Sequence, residues 1–108
     1  MEKIEYLPLG SIVILDGGIH KVMIVGRGLM TKMKEETIFF DYGGVQYPEG
    51  LTGDQTAYFN HEGISEVVFK GFSDEDDQRA VANIQNYVEE NVLKKISPDE
   101  MRTLQASL

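Results

Sequence analysis

The sequence predicts an α+β domain in which a small, strongly bent antiparallel sheet of about five strands precedes a packed C-terminal helix. Two observations favour this class. Short β-branched and aromatic runs separated by glycine-rich turns fill residues 7–72, and one amphipathic pattern fills residues 73–96. For the sheet, an SH3-like barrel is the preferred form, because short strands and paired glycines suit closure.

The composition favours one domain over residues 1–108, since 108 residues that are 42% hydrophobic supply one core. Eighteen acidic against ten basic residues give a formal charge of −8, which argues against binding to nucleic acid or to an anionic membrane. The absence of cysteine excludes disulfides and thiolate metal sites. With no signal-peptide pattern and no apolar run near the roughly 20 residues of a membrane helix, we expect a cytoplasmic protein.

The first two strands form a predicted hairpin. Residues 11–15 are β-branched and too few for a good helix, so they are read as a buried strand. Residues 16–18, Asp-Gly-Gly, are a tight-turn signal, and residues 19–25 form the returning strand, which ends at Gly-Arg-Gly in residues 26–28. Because the apolar runs are nearly continuous, we expect both faces of this hairpin to be covered, as in a barrel.

The centre of the chain predicts two further strands and several changes of direction. Residues 29–36 mix methionine with alternating charge and are interpreted as a connection or one helical turn. Residues 37–42 are the third strand, which we expect to stop or bulge at Gly43-Gly44. Pro48 within residues 47–50 forces a second change of direction, and residues 56–59 form the fourth strand.

The C-terminal third contains the last strand and the helix. Residues 64–70 are the fifth strand, and Ser73 begins a capping signal for a helix over residues 73–96. A second capping box predicts a short helical tail over residues 97–108. The apolar stripe of the main helix comprises Val81, Ile84, Val88 and Val92.

No residue set predicts a metal or cofactor site. His20 and His61 are the only imidazoles, and neither stands in a metal-binding motif. We therefore expect no metal, no cofactor and no catalytic residue. One catalytic alternative remains open, a small hydrolase in which His61 works with a nearby carboxylate. The carboxylates that could gather near it are Asp41, Glu49, Asp54 and Glu62.

The tyrosines around the central glycines are the better candidates for recognition, because tyrosine offers a large rigid contact area with a polar handle. They are equally read as the hydrophobic core of a small domain. The weak apolar stripe of the tail is a second candidate contact region. The predicted partner-binding residues are Tyr42, Val45, Tyr47, Tyr58, Met101 and Leu104.

Five sequence blocks occur in a fixed order between residue 7 and about residue 76. They are Leu7-Pro8-Leu9-Gly10-Ser11; Lys21-Val22-Met23-Ile24-Val25-Gly26-Arg27; Phe40-Asp41-Tyr42 with Gly44-Val45 and Tyr47-Pro48-Glu49-Gly50; Phe59-Asn60-His61; and Glu66-Val67-Val68-Phe69 with Gly71-Phe72. Together they resemble the family called domain of unknown function 4176, whose members are encoded with LXG toxins in type VII secretion loci of Gram-positive bacteria. The part from Val81 onward carries no motif of that family.

The resemblance implies a noncatalytic accessory protein, an adaptor or chaperone that holds a cognate LXG toxin for delivery to the secretion machinery. The implied partner is the toxin or its small helical targeting proteins, and no nucleic acid, membrane or small-molecule substrate is expected. An immunity protein that occludes the toxin is the alternative, since acidic charge suits a basic target. The hydrolase reading, with His61 and either Asp41 or Glu62, also stays open.

Overall fold

The computed structural model describes residues 3–53 and 55–96. In these residues five strands form one antiparallel sheet, in the spatial order β4-β3-β2-β1-β5, and a helix follows it. The α+β class, the strand number and the C-terminal helix are therefore as predicted. The elements are β1 (Ile12–Leu15), β2 (Lys21–Met33), β3 (Glu36–Tyr47), β4 (Ala57–Phe59), β5 (Ile64–Phe69) and α1 (Glu75–Glu90), with a short 3-10 helix at His61–Gly63.

The sheet is open, so the preferred SH3-like barrel is wrong. The two edges are β4 and β5, which lie at opposite ends of the strand order. The edge strand β4 has only three residues, and the pairing of β5 with β1 shifts register twice. A very short edge and a bulged edge both oppose further strand pairing, which is how many open sheets end.

Strands β2 and β3 form one long hairpin, although the sequence predicted that β2 ends at residues 26–28 and that a connection follows at residues 29–36. Residues 29–36 are neither a loose connection nor a helical turn, because they complete both strands and the turn between them. Lys34 and Glu35 make that turn with φ of 48° and 69°, the left-handed geometry that suits the twist of a tight hairpin. Nor does β2 end at residues 26–28, since a register shift after Ile24 lets the strand continue.

Strand β3 continues through Gly43-Gly44, so the predicted stop or reversal there is wrong, and the bulge of this ladder lies opposite the two glycines, in β2 between Ile24 and Gly26. At Gly44 an added Cβ would lie 2.5 Å from Cγ1 of Val22 and 2.8 Å from the carbonyl oxygen of Met23. Both distances are too short for ordinary contact. The glycine is needed for the close approach of β2 and β3 rather than for a change of direction.

The hydrophobic core lies on one face of the sheet, called here the inner face, and the opposite face is called the outer face. Helix α1 packs on the inner face through Val81 and Ile84. On the outer face, β3 is buried as well, because every residue from 38 to 45 is buried. The buried core cluster comprises Tyr6, Val13, Leu15, Val22, Ile24, Ile38, Phe40, Tyr42, Phe59 and Ile96.

Helix α1 begins at Glu75, two residues after the predicted start, and its N-cap is one residue later than the predicted Ser73. Asp74 is the N-cap, and its side chain accepts a 3.0 Å hydrogen bond from the backbone N–H of Asp77. Ser73 does not cap the backbone, because its hydroxyl donates to the Asp77 carboxylate at 2.8 Å. That carboxylate also pairs with Arg27 of β2 at 2.7 Å, with both side chains largely buried. This ion pair fixes the start of the helix on the sheet.

The helix ends at Glu90 rather than continuing to residue 96. Asn91 is extended, and its side-chain amide donates to the carbonyl oxygen of Tyr87 at 2.9 Å, which satisfies one of the last helical carbonyls. The chain then runs beside β3, where the N–H of Phe39 donates to the carbonyl of Lys94 at 2.9 Å. We call residues 92–96 the C-terminal strap.

Two further predictions concern the C-terminal tail and helices that could span a membrane. The predicted helical tail, residues 97–108, lies outside the described residues. In residues 3–53 and 55–96, no helix combines the length and apolarity that crossing a bilayer would require.

Candidate functional site

Asp41 is the centre of a buried polar cluster that joins four segments of the chain. Its carboxylate is fully buried, and it accepts hydrogen bonds from the hydroxyl of Tyr6 and the backbone N–H of His61, both at 2.9 Å. The ammonium group of Lys95, from the C-terminal strap, lies 3.0 Å from the same carboxylate. The buried charge is therefore balanced by an ion pair and by two hydrogen bonds.

Asn60 fixes the backbone on which this carboxylate stands. Its side-chain oxygen accepts the N–H of Asp41 at 3.0 Å, and Asn60 itself is only 2% exposed. The same residue precedes the short 3-10 helix that carries His61, and there its backbone carbonyl, not its side chain, accepts the N–H of Gly63 at 2.9 Å. The Asn60 side-chain nitrogen is buried without a hydrogen-bond partner among the described residues.

Tyr42 connects the cluster to the inner face. Its oxygen accepts the backbone N–H of Leu7 at 3.0 Å and lies 2.7 Å from Nδ1 of His61. Burial is the main cause that raises the pKa of Tyr42 to about 12, so the hydroxyl keeps its proton at neutral pH. The tyrosine oxygen accepts from Leu7 and still has one lone pair and its own proton, so the direction of the hydrogen bond to Nδ1 is set by the tautomer of His61.

Tyr6 is held in a similar state on the other side of Asp41. Burial first, and then the nearby charge of Asp41, raise the pKa of the Tyr6 hydroxyl far above its usual value. The ring of Tyr6 also meets the ring of Tyr42 edge to face, with centroids 5.7 Å apart. Both tyrosines thus keep their protons at neutral pH in a packed core, and Tyr6 donates its proton to Asp41.

This geometry differs from that of a histidine–carboxylate catalytic pair. Asp41 contacts the backbone N–H of His61 and not its ring. The His61 ring makes its hydrogen bond through Nδ1 with the hydroxyl of Tyr42 rather than with a carboxylate. Among the described residues no three His, Asp or Glu side chains gather as metal ligands. Asp54 lies outside the described residues.

The structure separates the six predicted partner-binding residues. Tyr42 and Val45 are 0% and 4% exposed, so the prediction that they are surface contacts is wrong. Their side chains are buried in the protein, where a partner cannot contact them. Tyr47 and Tyr58 are 42% and 39% exposed and remain candidates. Met101 and Leu104 lie outside the described residues.

Tyr47 and Tyr58 lie on the same side of the sheet. Tyr58 pairs with Gly43, and Gly43 and Tyr47 are an even number of residues apart on β3, which places all three on the outer face. Lys21 stands over the Tyr47 ring, 5.8 Å from its centroid. The two tyrosines therefore present aromatic surface to solvent beside a positive charge.

Residues 6–80 match the family described as "Domain of unknown function (DUF4176)". The chain belongs to the DUF4176 family. No curated protein and no solved structure shows significant similarity to it. The DUF4176 region contains all the strands and the first residues of α1, and the C-terminal strap lies beyond it.

The boundary of the DUF4176 region passes through the polar cluster. Tyr6, Asp41 and His61 lie within residues 6–80, whereas Lys95 lies outside them. The cation that balances the buried Asp41 is thus supplied from beyond the family region. Spacing in the sequence gave no signal for this pair, because Lys95 is 54 residues from Asp41.

A second exposed region was missed in the sequence, where the first hairpin was expected to be covered on both faces. Strands β1 and β2 are buried on the inner face, but Ile12 and Met23, which pair across them on the outer face, are only half-buried. Phe69 pairs with Ile12 from β5 and is 57% exposed. The nearly continuous apolar runs did indicate two apolar faces, but not that one of them stays open to solvent.

Proposed function

We propose that this DUF4176 protein is a noncatalytic adaptor or chaperone, which binds a cognate LXG-type toxin in the cytoplasm and presents it to a type VII secretion machinery. The observation that carries the proposal is the contrast between a buried set of polar side chains and a pair of exposed tyrosines. Asp41, Tyr42 and His61 are engaged with one another in the interior, whereas Tyr47 and Tyr58 are turned to solvent. The first arrangement stabilises a fold, and the second is typical of recognition surfaces.

The binding mode that fits these residues is contact with the outer face at β3 and β4. Tyr47 and Tyr58 are each about two-fifths exposed, which leaves ring surface for a partner while the ring base stays packed. Lys21, beside Tyr47, supplies a cation for an acidic group of the partner. Met101 and Leu104 remain predicted contacts of the tail.

Co-expression of the full chain with the LXG toxin encoded beside it, followed by affinity purification, tests the proposal. We expect the two proteins to elute together, and we expect deletion of the DUF4176 gene to reduce toxin export. If the chain is recovered alone and export is unchanged by the deletion, the proposal is wrong.

Surface variants locate the contact. Tyr47→Ala and Tyr58→Ala are expected to weaken toxin binding roughly tenfold each, as buried interface tyrosines often do. Tyr87→Ala is the matched control, because Tyr87 is 45% exposed on α1 and loses the same atoms. Equal binding by all three variants would show that the toxin does not contact the outer face at β3 and β4.

An immunity protein is the second candidate, and the observation that favours it is the net charge of −8, which suits occlusion of a basic active site. The two functions differ in their effect on the producing cell. An immunity protein must protect cells that express the toxin's active domain, whereas an adaptor need not. Survival of toxin-expressing cells with and without the DUF4176 protein therefore separates them.

A further inference from the structure

We propose that the outer face of β1, β2 and β5 is a self-association surface, on which a second copy of this chain packs face to face. Two rows of side chains cross these three strands. The first row is apolar and consists of Phe69, Ile12 and Met23. Self-association is a property separate from the proposed function, and it is measured without any toxin.

The second row runs beside the first and carries a charge at each end. Glu66 of β5 lies opposite Ile14 of β1, which lies opposite Lys21 of β2. The two charges are of opposite sign and stand one strand away from β1 on either side. The row therefore reads negative, apolar, positive from β5 to β2.

The two rows are open on the face that α1 does not cover. Val13 and Val22, which point to the inner face between the row positions, are 0% and 8% exposed. On the outer face Phe69 is 57% exposed. Exposed apolar surface of this kind on one side of a sheet marks a site of association.

A twofold axis that lies between two facing sheets and runs along β1 makes the apolar row self-complementary. About this axis, β1 of one copy faces β1 of the other, and β5 of each copy faces β2 of the other. Phe69 then faces Met23 of the second copy, and Ile12 faces Ile12. The sheets of such a pair lie about 10 Å apart, which is the usual spacing of two packed sheets.

The same axis pairs the charges. Glu66 of each copy comes opposite Lys21 of the other, which makes two symmetric ion pairs at the rim of the apolar row. This complementarity is the reason to choose a second copy, because a partner of one charge sign would oppose either Glu66 or Lys21. General repulsion between two chains of charge −8 is screened beyond about 8 Å at physiological salt.

Sedimentation equilibrium of the full chain measures the association. We expect the wild type to approach twice its 12.1 kDa mass as concentration rises, and Phe69→Asp to stay at the monomer mass. The circular dichroism spectrum of Phe69→Asp shows whether the fold is retained, as expected for a residue that is 57% exposed. A wild type that remains monomeric up to roughly millimolar concentration, well above common affinities, overturns the proposal.

A charge exchange tests the register. Lys21→Glu and Glu66→Lys alone each create two like-charge contacts, and we expect each to weaken self-association roughly tenfold or more. An equimolar mixture of the two variants restores opposite charges at both contacts, so it should associate as the wild type does. Lys32→Glu and Glu62→Lys are the matched controls, because both residues are exposed and lie outside the two rows.

The outcomes of the mixture decide between this surface and general electrostatics. Restored association in the mixture, with unchanged controls, supports the twofold axis along β1. Failure of the mixture to restore association, or equal weakening by Lys32→Glu, overturns the proposal even if the wild type is a dimer. Toxin binding is tested separately with Tyr47→Ala and Tyr58→Ala, which change neither row, so failure of one proposal can be told from failure of the other.

Discussion

Strands β3 and β5 belong to one sheet and each contains three consecutive apolar residues, but the burial of these residues is opposite. In β3, Ile38, Phe39 and Phe40 are 3%, 1% and 1% exposed, whereas in β5 Val67, Val68 and Phe69 are 46%, 42% and 57% exposed. The difference comes from position. β3 pairs with β2 and β4 and is flanked by the C-terminal strap, while β5 is a bulged edge strand that pairs with β1 alone.

The comparison separates what stabilises this fold from what it can offer a partner. In the interior of β3, apolar side chains and the Asp41 cluster are fully packed, so a change there is expected to lower the free energy of unfolding. On β5 and the outer face, the same residue types remain in water and are free for contacts.

The largest contrast is expected between two phenylalanines. Phe59→Ala removes a side chain that is 0% exposed and stacked on Tyr42, and should lower the free energy of unfolding by about 4 kcal/mol. Phe69→Ala should lower it by less than about 1 kcal/mol, because Phe69 already contacts solvent. Urea unfolding at low micromolar concentration, where self-association is minimal, measures both values. Similar losses in the two variants would refute the comparison.

Removal of the buried carboxylate should come next. Asp41→Ala leaves the ammonium of Lys95 and the hydroxyl of Tyr6 without their acceptor, and we expect a loss of about 3 kcal/mol. Glu36→Ala is the matched control, since Glu36 pairs with Lys94 at an exposed site and should cost well under about 1 kcal/mol. Urea unfolding again provides the measurement. A loss below about 1 kcal/mol for Asp41→Ala would mean that the cluster contributes little to stability.

The close approach of β2 and β3 predicts a somewhat smaller effect. Gly44→Ala places a methyl group 2.5 Å from Val22 and should destabilise the protein by about 2 kcal/mol. At Gly63 an added Cβ meets nothing within 4 Å, so Gly63→Ala should change stability by less than about 0.5 kcal/mol. Thermal melting of both variants tests the pair. A neutral Gly44→Ala would show that the strands can separate without cost.

The pH dependence sharpens the account of the buried tyrosines. Because burial raises the pKa of Tyr42 from 10.0 to about 12, the unfolded chain loses this proton at lower pH than the folded one. The stability contributed by the protonated hydroxyl is therefore fully present below pH 10 and is lost as pH rises through about 12. Tyr42→Phe should lower stability at neutral pH but flatten its decline in this range. An unchanged slope in Tyr42→Phe would assign the alkaline loss to other groups.

Much of the fold could be predicted because its signals are local. Alternating and β-branched runs located the strands, and the spacing of Val81, Ile84 and Val88 located the helix. The length of the central hairpin could not be predicted, since Lys34 and Glu35 adopt left-handed conformations without the glycine or asparagine that usually indicates them. The helix end was misplaced because the strap pairs with β3, a contact distant in sequence.

One error at Gly43-Gly44 also determined the error in the site. Glycine indicates that backbone must turn or approach closely, and the sequence does not say which. Had β3 been read as continuous, period-two alternation would have placed Tyr42 and Tyr47 on opposite faces, as the structure does. The meeting of Tyr42 with His61 could not have been foreseen, since it depends on the turn after β4.

The most direct test of the proposed binding role is the affinity of the purified chain for the LXG toxin proposed as its partner, measured by calorimetry for three proteins. These are the wild type, the double variant Tyr47→Ala/Tyr58→Ala, and His61→Ala. We predict that the double variant binds at least tenfold more weakly, while His61→Ala, once shown to be folded, binds within about twofold of the wild type. Full affinity in the double variant together with lost binding in His61→Ala would contradict a solvent-facing tyrosine surface and place the working site at the buried cluster.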